Sequence, residues 1–504
     1  MNKKFLISCL TFFLLFYGCS EKPISEKQKA IDAYKKKQSR PYIRGSQEVL
    51  LADISSVPEK LLFDSLVISS DGKKVAYVGH DTLSNSLYLN VNQERHPSYS
   101  EIWPPIIFSP DNKYVAYITG RKKGKKTEVF VVKNRNIISK IHSEKNVSVP
   151  GVVFSPDSKN IAYAVREGGE WRVIVNGWGV GYPAFDSVLT NTVKFSSDSK
   201  TLVYGARKGD QHFIAVNGVP QKFYEGISSV ILSKDNLAYI GGDESSQSVV
   251  LDGKEQQRYD LIATKSLTFS LDGEHLAYAA QKGNKQFVVI DEIEQKKYDG
   301  VVLITLSPDG KHLAYVASQG GESFVVLDGK ELKRYTAIDS VINGDTREEP
   351  FLENSLVFSP DSQRFVYGVG DGVYDFLVLD GVEQKRYKSI VENSMTFSPD
   401  SQRFGYLAIN YNDKPLAVVD GKEYPIAQEW AAKFCFSPDS KHFAYMVSDK
   451  ERWSVVVDGE PGKYYPDLLV DERKTLFNQD GSFHYLIMRD NKIHLVEEEL
   501  TPVS

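Results

Sequence analysis

From Leu66 onward, apolar runs of strand length alternate with polar turns, and the alternation is cleanest over 266–300. Residues 266–270 read as one strand, Leu271-Asp272-Gly273 turns the chain, and 275–280 read as a second. After Gln281-Lys282-Gly283-Asn284, residues 286–290 carry the aromatic and β-branched side chains that suit a pleated, half-buried surface. A fourth piece, 295–298, is polar and basic. Lys and Arg on an outermost strand keep a sheet edge from pairing with other chains, so this piece reads as the edge.

The unit recurs. An apolar pair, Ser-Pro-Asp or a variant, one or two polar residues and an apolar-Ala-Tyr triplet form a phrase whose aspartates are Asp71, Asp111, Asp157, Asp198, Asp235, Asp272, Asp309, Asp361, Asp400, Asp439 and Asp480. Most spacings fall between 37 and 46 residues, and that period with short strands indicates propeller blades and not a helical solenoid. The best copies, Phe108-Ser109-Pro110-Asp111 with Ala116-Tyr117 and Phe436-Ser437-Pro438-Asp439 with Ala444-Tyr445, resemble the WD40-like β-propeller repeat, found in the propeller half of the periplasmic protein TolB and in many exported bacterial proteins. The resemblance covers 66 to the C-terminus. It implies the fold and says little about role, because one fold hosts many functions. In TolB an α/β domain precedes the propeller; a short polar segment takes that place here.

Turn chemistry fits this reading. Asn176-Gly177, Asn217-Gly218, Asp252-Gly253, Asp328-Gly329, Asp380-Gly381, Asp420-Gly421 and Asp458-Gly459 suit the positive φ angles of a type I′ hairpin between third and fourth strands. In Ser-Pro-Asp the proline presets φ and the carboxylate can accept from nearby N–H groups. A calcium site would need several oxygens converging, whereas each repeat offers one isolated Asp.

The fold expected is all-β: a β-propeller of about eleven four-stranded blades, as one large ring or two tandem rings. Because propellers commonly have four to eight blades, two rings are favoured, with the second starting at about 341, beside the insertion at 342–354. The segment Glu59-Lys60-Leu61-Leu62-Phe63-Asp64 resembles the fourth-strand phrase Lys333-Arg334-Tyr335, and the last copy ends after its third strand. The two termini should therefore complete one sheet between them.

The N-terminus is different in kind. Lys3 and Lys4 precede an apolar run ending at Tyr17, and Gly18 stands before Cys19. The pattern is a secretory signal and resembles the lipobox of bacterial lipoproteins, in which the cysteine becomes the lipidated first residue. The organisation expected is a signal peptide at 1–18, a lipidated Cys19 with a flexible tether at 19–45, and repeats over 46–504. Lipidation implies membrane association through the anchor, in the cell envelope; Ser20 argues for the outer membrane or a periplasm-facing position. Signal removal leaves only Cys19 and Cys435, so there is no disulfide framework. Cys435, between Phe434 and Phe436, reads as a buried core thiol.

Composition excludes more than it suggests. A net charge of -5, with 25% charged residues, gives no basis for a nucleic-acid partner. No nucleophile elbow, zinc motif, phosphate-binding loop or EF-hand pattern is present, so no catalytic, metal or cofactor residue is assigned. His275, His312 and His442 recur at one repeat position and read as surface residues. The function expected is binding or scaffolding of an envelope protein, peptide or glycan; the alternative is a channel-mouth enzyme of lyase or glycosidase type. Recognition usually resides on variable loops, here the second-to-third and blade-to-blade connections. The candidate ligand-binding residues are the aromatics without repeat equivalents: Trp103, Trp178, Tyr182 and Trp430, with Trp103, Trp178 and Trp430 expected toward that loop face. Trp171 and Trp453 are aligned with Phe213, Phe287 and Phe324 and read as core.

Overall fold

The computed structural model describes residues 42–502 apart from 56, 58–63, 124–125, 142–147, 180–183, 337–339, 343–344, 348–350, 353, 450–451, 470–476 and 479–481. Cys19, the expected signal and nearly all of the expected tether lie outside the described residues, as does Tyr182. Among those described, the strands form eleven antiparallel four-stranded blades, two of which have a first strand split in two, and there is no helical element. Blades 1 to 10 span 67–99, 101–141, 152–179, 187–224, 226–259, 261–294, 300–336, 357–383, 389–425 and 430–461. Blade 11 combines Asp467–Leu469, Phe483–Arg489 and Lys492–Pro502 with the N-terminal strand Tyr42–Asp53 at its edge. A small hairpin, Ser340–Ile342 with Asp345–Arg347, occupies the insertion between blades 7 and 8.

Burial explains which strands are central. In blade 6 the second strand, Leu276–Lys282, is buried through most of its length and the third, Lys285–Ile290, through half of it. In blade 5 the fourth strand, Lys254–Tyr259, alternates buried with exposed residues. First strands of neighbouring blades lie against one another, as in blades 1 to 4, which places them at the inner rim. The charged fourth strands are outermost, as their composition requires.

Apolar clusters bridge every consecutive pair of blades from 1/2 to 9/10. Tyr465 and Tyr485 join blade 10 to blade 11 with ring centroids 6.0 Å apart. The seam between blades 7 and 8, across the insertion, is ordinary core: Val316 and Val325 pack with Tyr367 and Val378. Blade 11 returns to blade 1, where Leu51, Ala52, Leu486 and Leu495 pack with Val75 and Tyr77. The protein is therefore one ring of eleven blades, and the expected second ring from about 341 is not formed. Two rings would require blade 7 to pack on blade 1, and blade 7 packs on blade 8 instead.

The termini do complete one sheet, but with a different strand. Tyr42–Asp53 closes the ring, starting four residues before the expected boundary at 46; of the segment expected to close it, 59–63 lie outside the described residues. Glu48 on the closing strand accepts hydrogen bonds from Lys463 Nζ at 2.6 Å, Tyr465 Oη at 3.1 Å and Arg489 at 2.8 Å. The Lys463 hydrogen bond is the main reason its carboxyl lies low, at about 2.

Two turn devices set the register of each blade. In nine copies the serine of Ser-x-Asp donates to the Asp carboxylate, as Ser398 Oγ to Asp400 Oδ1 at 2.5 Å, and accepts from a backbone N–H five residues on, Arg403 N at 2.9 Å. The next residue but two after that serine has positive φ, and where it is serine its hydroxyl accepts from the preceding blade: Ser401 Oγ takes the Asp361 N–H at 3.0 Å. At the other hairpin, the Asx residue holds φ near 50° and its Oδ1 caps the N–H that opens the second strand, as Asp252 does for Leu237 at 2.8 Å.

These hydroxyls lower the carboxyls of Asp111, Asp157, Asp198, Asp272, Asp309, Asp361 and Asp400, with Asp111 and Asp198 held at about 2. The unfolded chain, with ordinary aspartates near 3.8, then binds more protons than the folded one as pH falls from about 4 to about 2. We expect stability to be intact above pH 4 and to fall steeply through that window, as read by urea midpoints at stepped pH. A flat profile would show that the serine bonds persist in the unfolded chain or are absent.

Candidate functional site

Because the chain reverses at each turn, the Ser-x-Asp and Asx-Gly turns share one face of the ring, the turn face. The second-to-third hairpins and blade-to-blade links share the other, the loop face. On the loop face of blade 10, Trp430 opens the first strand and pairs with Ser448, which pairs in turn with Trp453. Ser448 is small and buried, so the two indoles close over it edge to face, 5.0 Å between ring centroids. Trp430 stays 48% exposed, which leaves an aromatic surface open to a partner. Beside them the Gln428 amide donates to the Tyr464 hydroxyl, and the Arg452 guanidinium lies 5.2 Å from the centre of the Tyr464 ring. Aromatic and guanidinium groups of this kind carry much of the energy at binding surfaces.

Trp453 belongs to this cluster, contrary to the core placement expected for it. The core positions are Phe213, Phe287 and Phe324, which pair with Ala206, Ala280 and Ala317. Trp453 and Trp171 sit one residue earlier, where blade 6 has Gln286, and a one-residue offset in a strand reverses the side-chain face; Trp171, half-buried, still packs against the core between blades 3 and 4. Elsewhere that position supplies an acceptor to the next blade: Gln286 Oε1 takes the Val301 N–H at 3.0 Å. The replacement of this polar position by tryptophan was the available sequence signal.

The candidate aromatics are not brought together. Trp103 lies toward the loop end of blade 2, half-buried, its indole against Gly120, where an added Cβ would come within 2.5 Å of the ring. Trp178, expected on the loop face, lies on the turn face. It pairs with Val175 directly across Asn176-Gly177 and is 79% exposed. The two-residue turn leaves no length for it to reach the other side.

The repeated histidines have local partners. His275, His312 and His442 place Nδ1 2.6, 2.8 and 2.6 Å from Asp291, Asp328 and Asp458, each a carboxylate that also caps the second strand. The Asp291 bond raises the His275 pKa. Among the described residues, no three His, Cys, Asp or Glu side chains converge as a metal set. Cys435 is half-buried on the inner strand of blade 10, so it is less enclosed than a core thiol.

No family model matches the chain, and no curated protein matches it. Solved structures do. A eukaryotic initiation factor has 14% identity and a TM-score of 0.36, covering 72% of this chain and 94% of that one. The Dos1 propeller has 13% identity and a TM-score of 0.27, covering 71% and 92%. The β-propeller domain of the Trilobed protease from Pyrococcus furiosus has 15% identity and a TM-score of 0.26, covering 56% and 96%. The fold is decided by the strand order and closure of the chain itself. It is an eleven-bladed β-propeller. Its loop face also holds a cleft of about 750 Å³ in blade 5, lined by Glu225, Ser228, Asp243 and Glu244, while the turn face of the propeller is built of near-identical hairpins.

Proposed function

We propose that the protein is a lipid-anchored envelope protein whose loop face holds a protein, peptide or glycan partner. A propeller fold is consistent with a binding or scaffolding role. The observation that carries the reading is the half-exposed Trp430 set edge to face against Trp453 beside Arg452, on the face whose connections vary from blade to blade. A rigid ring presenting variable loops is a common arrangement for recognition. The anchor rests on Gly18-Cys19 and the apolar run before it.

The test is affinity capture from detergent-solubilised envelopes with the anchor intact. Trp430→Ala is expected to weaken capture of a specific partner by about 2 kcal/mol, roughly thirtyfold, with an unchanged unfolding midpoint. Loss of stability instead would mark Trp430 as a packing residue and return the binding face to unknown. In the same preparation Cys19→Ala is expected to release the protein from membranes; normal processing and continued membrane partitioning would refute the anchor.

A further inference from the structure

Two exposed rings on the loop face, in neighbouring blades, are held in the same way. In blade 9 the hairpin between second and third strands carries Tyr411, 54% exposed. Its hydroxyl donates to Arg386 O at the end of blade 8, at 2.8 Å. The ring is thereby pinned across the seam and offers a partner its face, not its polar tip. Tyr374, from the matching hairpin of blade 8, stands edge-on to it at 89°, with 5.1 Å between centroids. In blade 10 Trp453 braces Trp430 in the same fashion, at 80°. A ring held this way loses little freedom when a ligand covers it.

The charges around these rings are balanced. Among the described residues of the three hairpins and the links between them, Asp371 pairs with Arg386, Asp413 with Lys388 and Asp449 with Arg452. Lys414 and Glu429 add one charge of each sign. Beside the rings stand two side-chain amides, which both donate and accept: Gln428, whose NH₂ goes to the Tyr464 hydroxyl, and the exposed Asn412. Asn412 and Tyr411, with Tyr387 and Pro425, also wall a cleft of about 160 Å³ whose charged lining residues, Lys385 and Glu423, are paired at 2.6 Å.

We infer that the arc of the loop face from Tyr411 to Trp430 takes a neutral oligosaccharide chain. This rests on the loop-face reading above and gives the partner its chemistry. One face of a pyranose is lined with C–H groups of slight positive charge, which suits the negative face of an aromatic ring. Its hydroxyls donate and accept, as the amides of Gln428 and Asn412 do. Rings on neighbouring blades suit a chain of sugars, one unit over each ring. A charged ligand meets no net charge of the opposite sign. A proline-rich peptide would also stack on the rings, but it presents mainly carbonyl acceptors, which match the amide N–H groups of Gln428 and Asn412 and not their oxygens.

The experiment is calorimetric titration of the full chain in detergent with neutral β-1,4-linked hexasaccharides of glucose, mannose and N-acetylglucosamine, each beside its disaccharide. At least one hexasaccharide should bind saturably, and more tightly than its disaccharide, since only the longer chain is expected to cover both rings. Trp430→Ala and Tyr411→Ala should each weaken that binding by about tenfold or more, with unchanged melting temperatures. Trp430→Phe, which keeps a smaller ring, should fall between, and Trp178→Ala on the turn face should change nothing. Binding of none of the hexasaccharides, or binding indifferent to Trp430 and Tyr411, would overturn the assignment. Tighter binding of a proline-rich decapeptide at the same residues would overturn it in favour of a peptide. Capture of an envelope partner that falls with Trp430→Ala while no hexasaccharide binds would remove the glycan and keep the loop-face reading; capture indifferent to Trp430→Ala would remove that reading itself.

Discussion

Leu51→Asp is expected to lower stability by on the order of 4 kcal/mol, a large part of the total for a folded domain. Leu51 lies on the closing strand and is 6% exposed, within the cluster where blade 11 meets blade 1. The substitution removes its apolar contacts and puts an unpaired carboxylate among Val75, Tyr77 and Leu486, where burial penalises charge. The strand is a small part of the chain, but it forms the edge of the last blade and part of the last seam, so losing it opens the ring. Leu83→Asp is the control: Leu83 is 99% exposed in a hairpin of blade 1, and the change should stay within about 0.5 kcal/mol. Urea midpoints of the two variants decide the matter. Equal, small shifts would mean that the closing strand is dispensable and the ring holds without it.

The closing strand also marks where the sequence stops being informative. Hairpin turns were legible because their chemistry is local: Asp252-Gly253 needs two positive φ angles, and the residues say so. The blades followed because each repeats that chemistry within a few tens of residues. The strand Tyr42–Asp53 carries no such phrase, and its partner Lys492–Pro502 lies at the far end of the chain. Its role comes from Leu51 and Ala52 filling a seam built by other blades. The number of rings was hidden for the same reason, because the contact of Val316 with Tyr367 across the insertion is tertiary. Of the site, exposure was easier to foresee than placement. Trp178 stands directly after Asn176-Gly177, so its face could have been read. Trp453 required a register exact to one residue, which unaligned repeats do not supply. Ser398 was passed over beside Asp400, although its hydroxyl is the group that ties the turn together.

The tyrosines of the basic pieces that close the blades, as in Lys333-Arg334-Tyr335, are the other place where a large effect is expected. Tyr298, which follows the fourth strand of blade 6 and bridges back to Gln286, is fully buried, edge to face with Tyr315 of blade 7 at 6.3 Å and with Phe324 at 5.6 Å. Its hydroxyl donates to Glu331 on the next blade's edge strand at 3.2 Å, and Lys296 holds the same carboxylate at 2.6 Å. Tyr335 with Lys333 on Glu383 and Tyr387 with Lys385 on Glu423 repeat the arrangement, and Tyr465 with Lys463 on Glu48 extends it to the closing strand. Each such tyrosine therefore fills the seam with its ring and fixes the spacing of two outer edges with its hydroxyl. Tyr298→Ala should cost about 3–5 kcal/mol, the range for deleting a buried aromatic that leaves a cavity. Tyr298→Phe keeps the ring and gives up one partly buried hydrogen bond, so about 1 kcal/mol is expected. Calorimetric melts of the two variants separate the contributions. If Phe proved as damaging as Ala, the hydroxyl bridge and not the packed ring would be what holds neighbouring blades together at the rim.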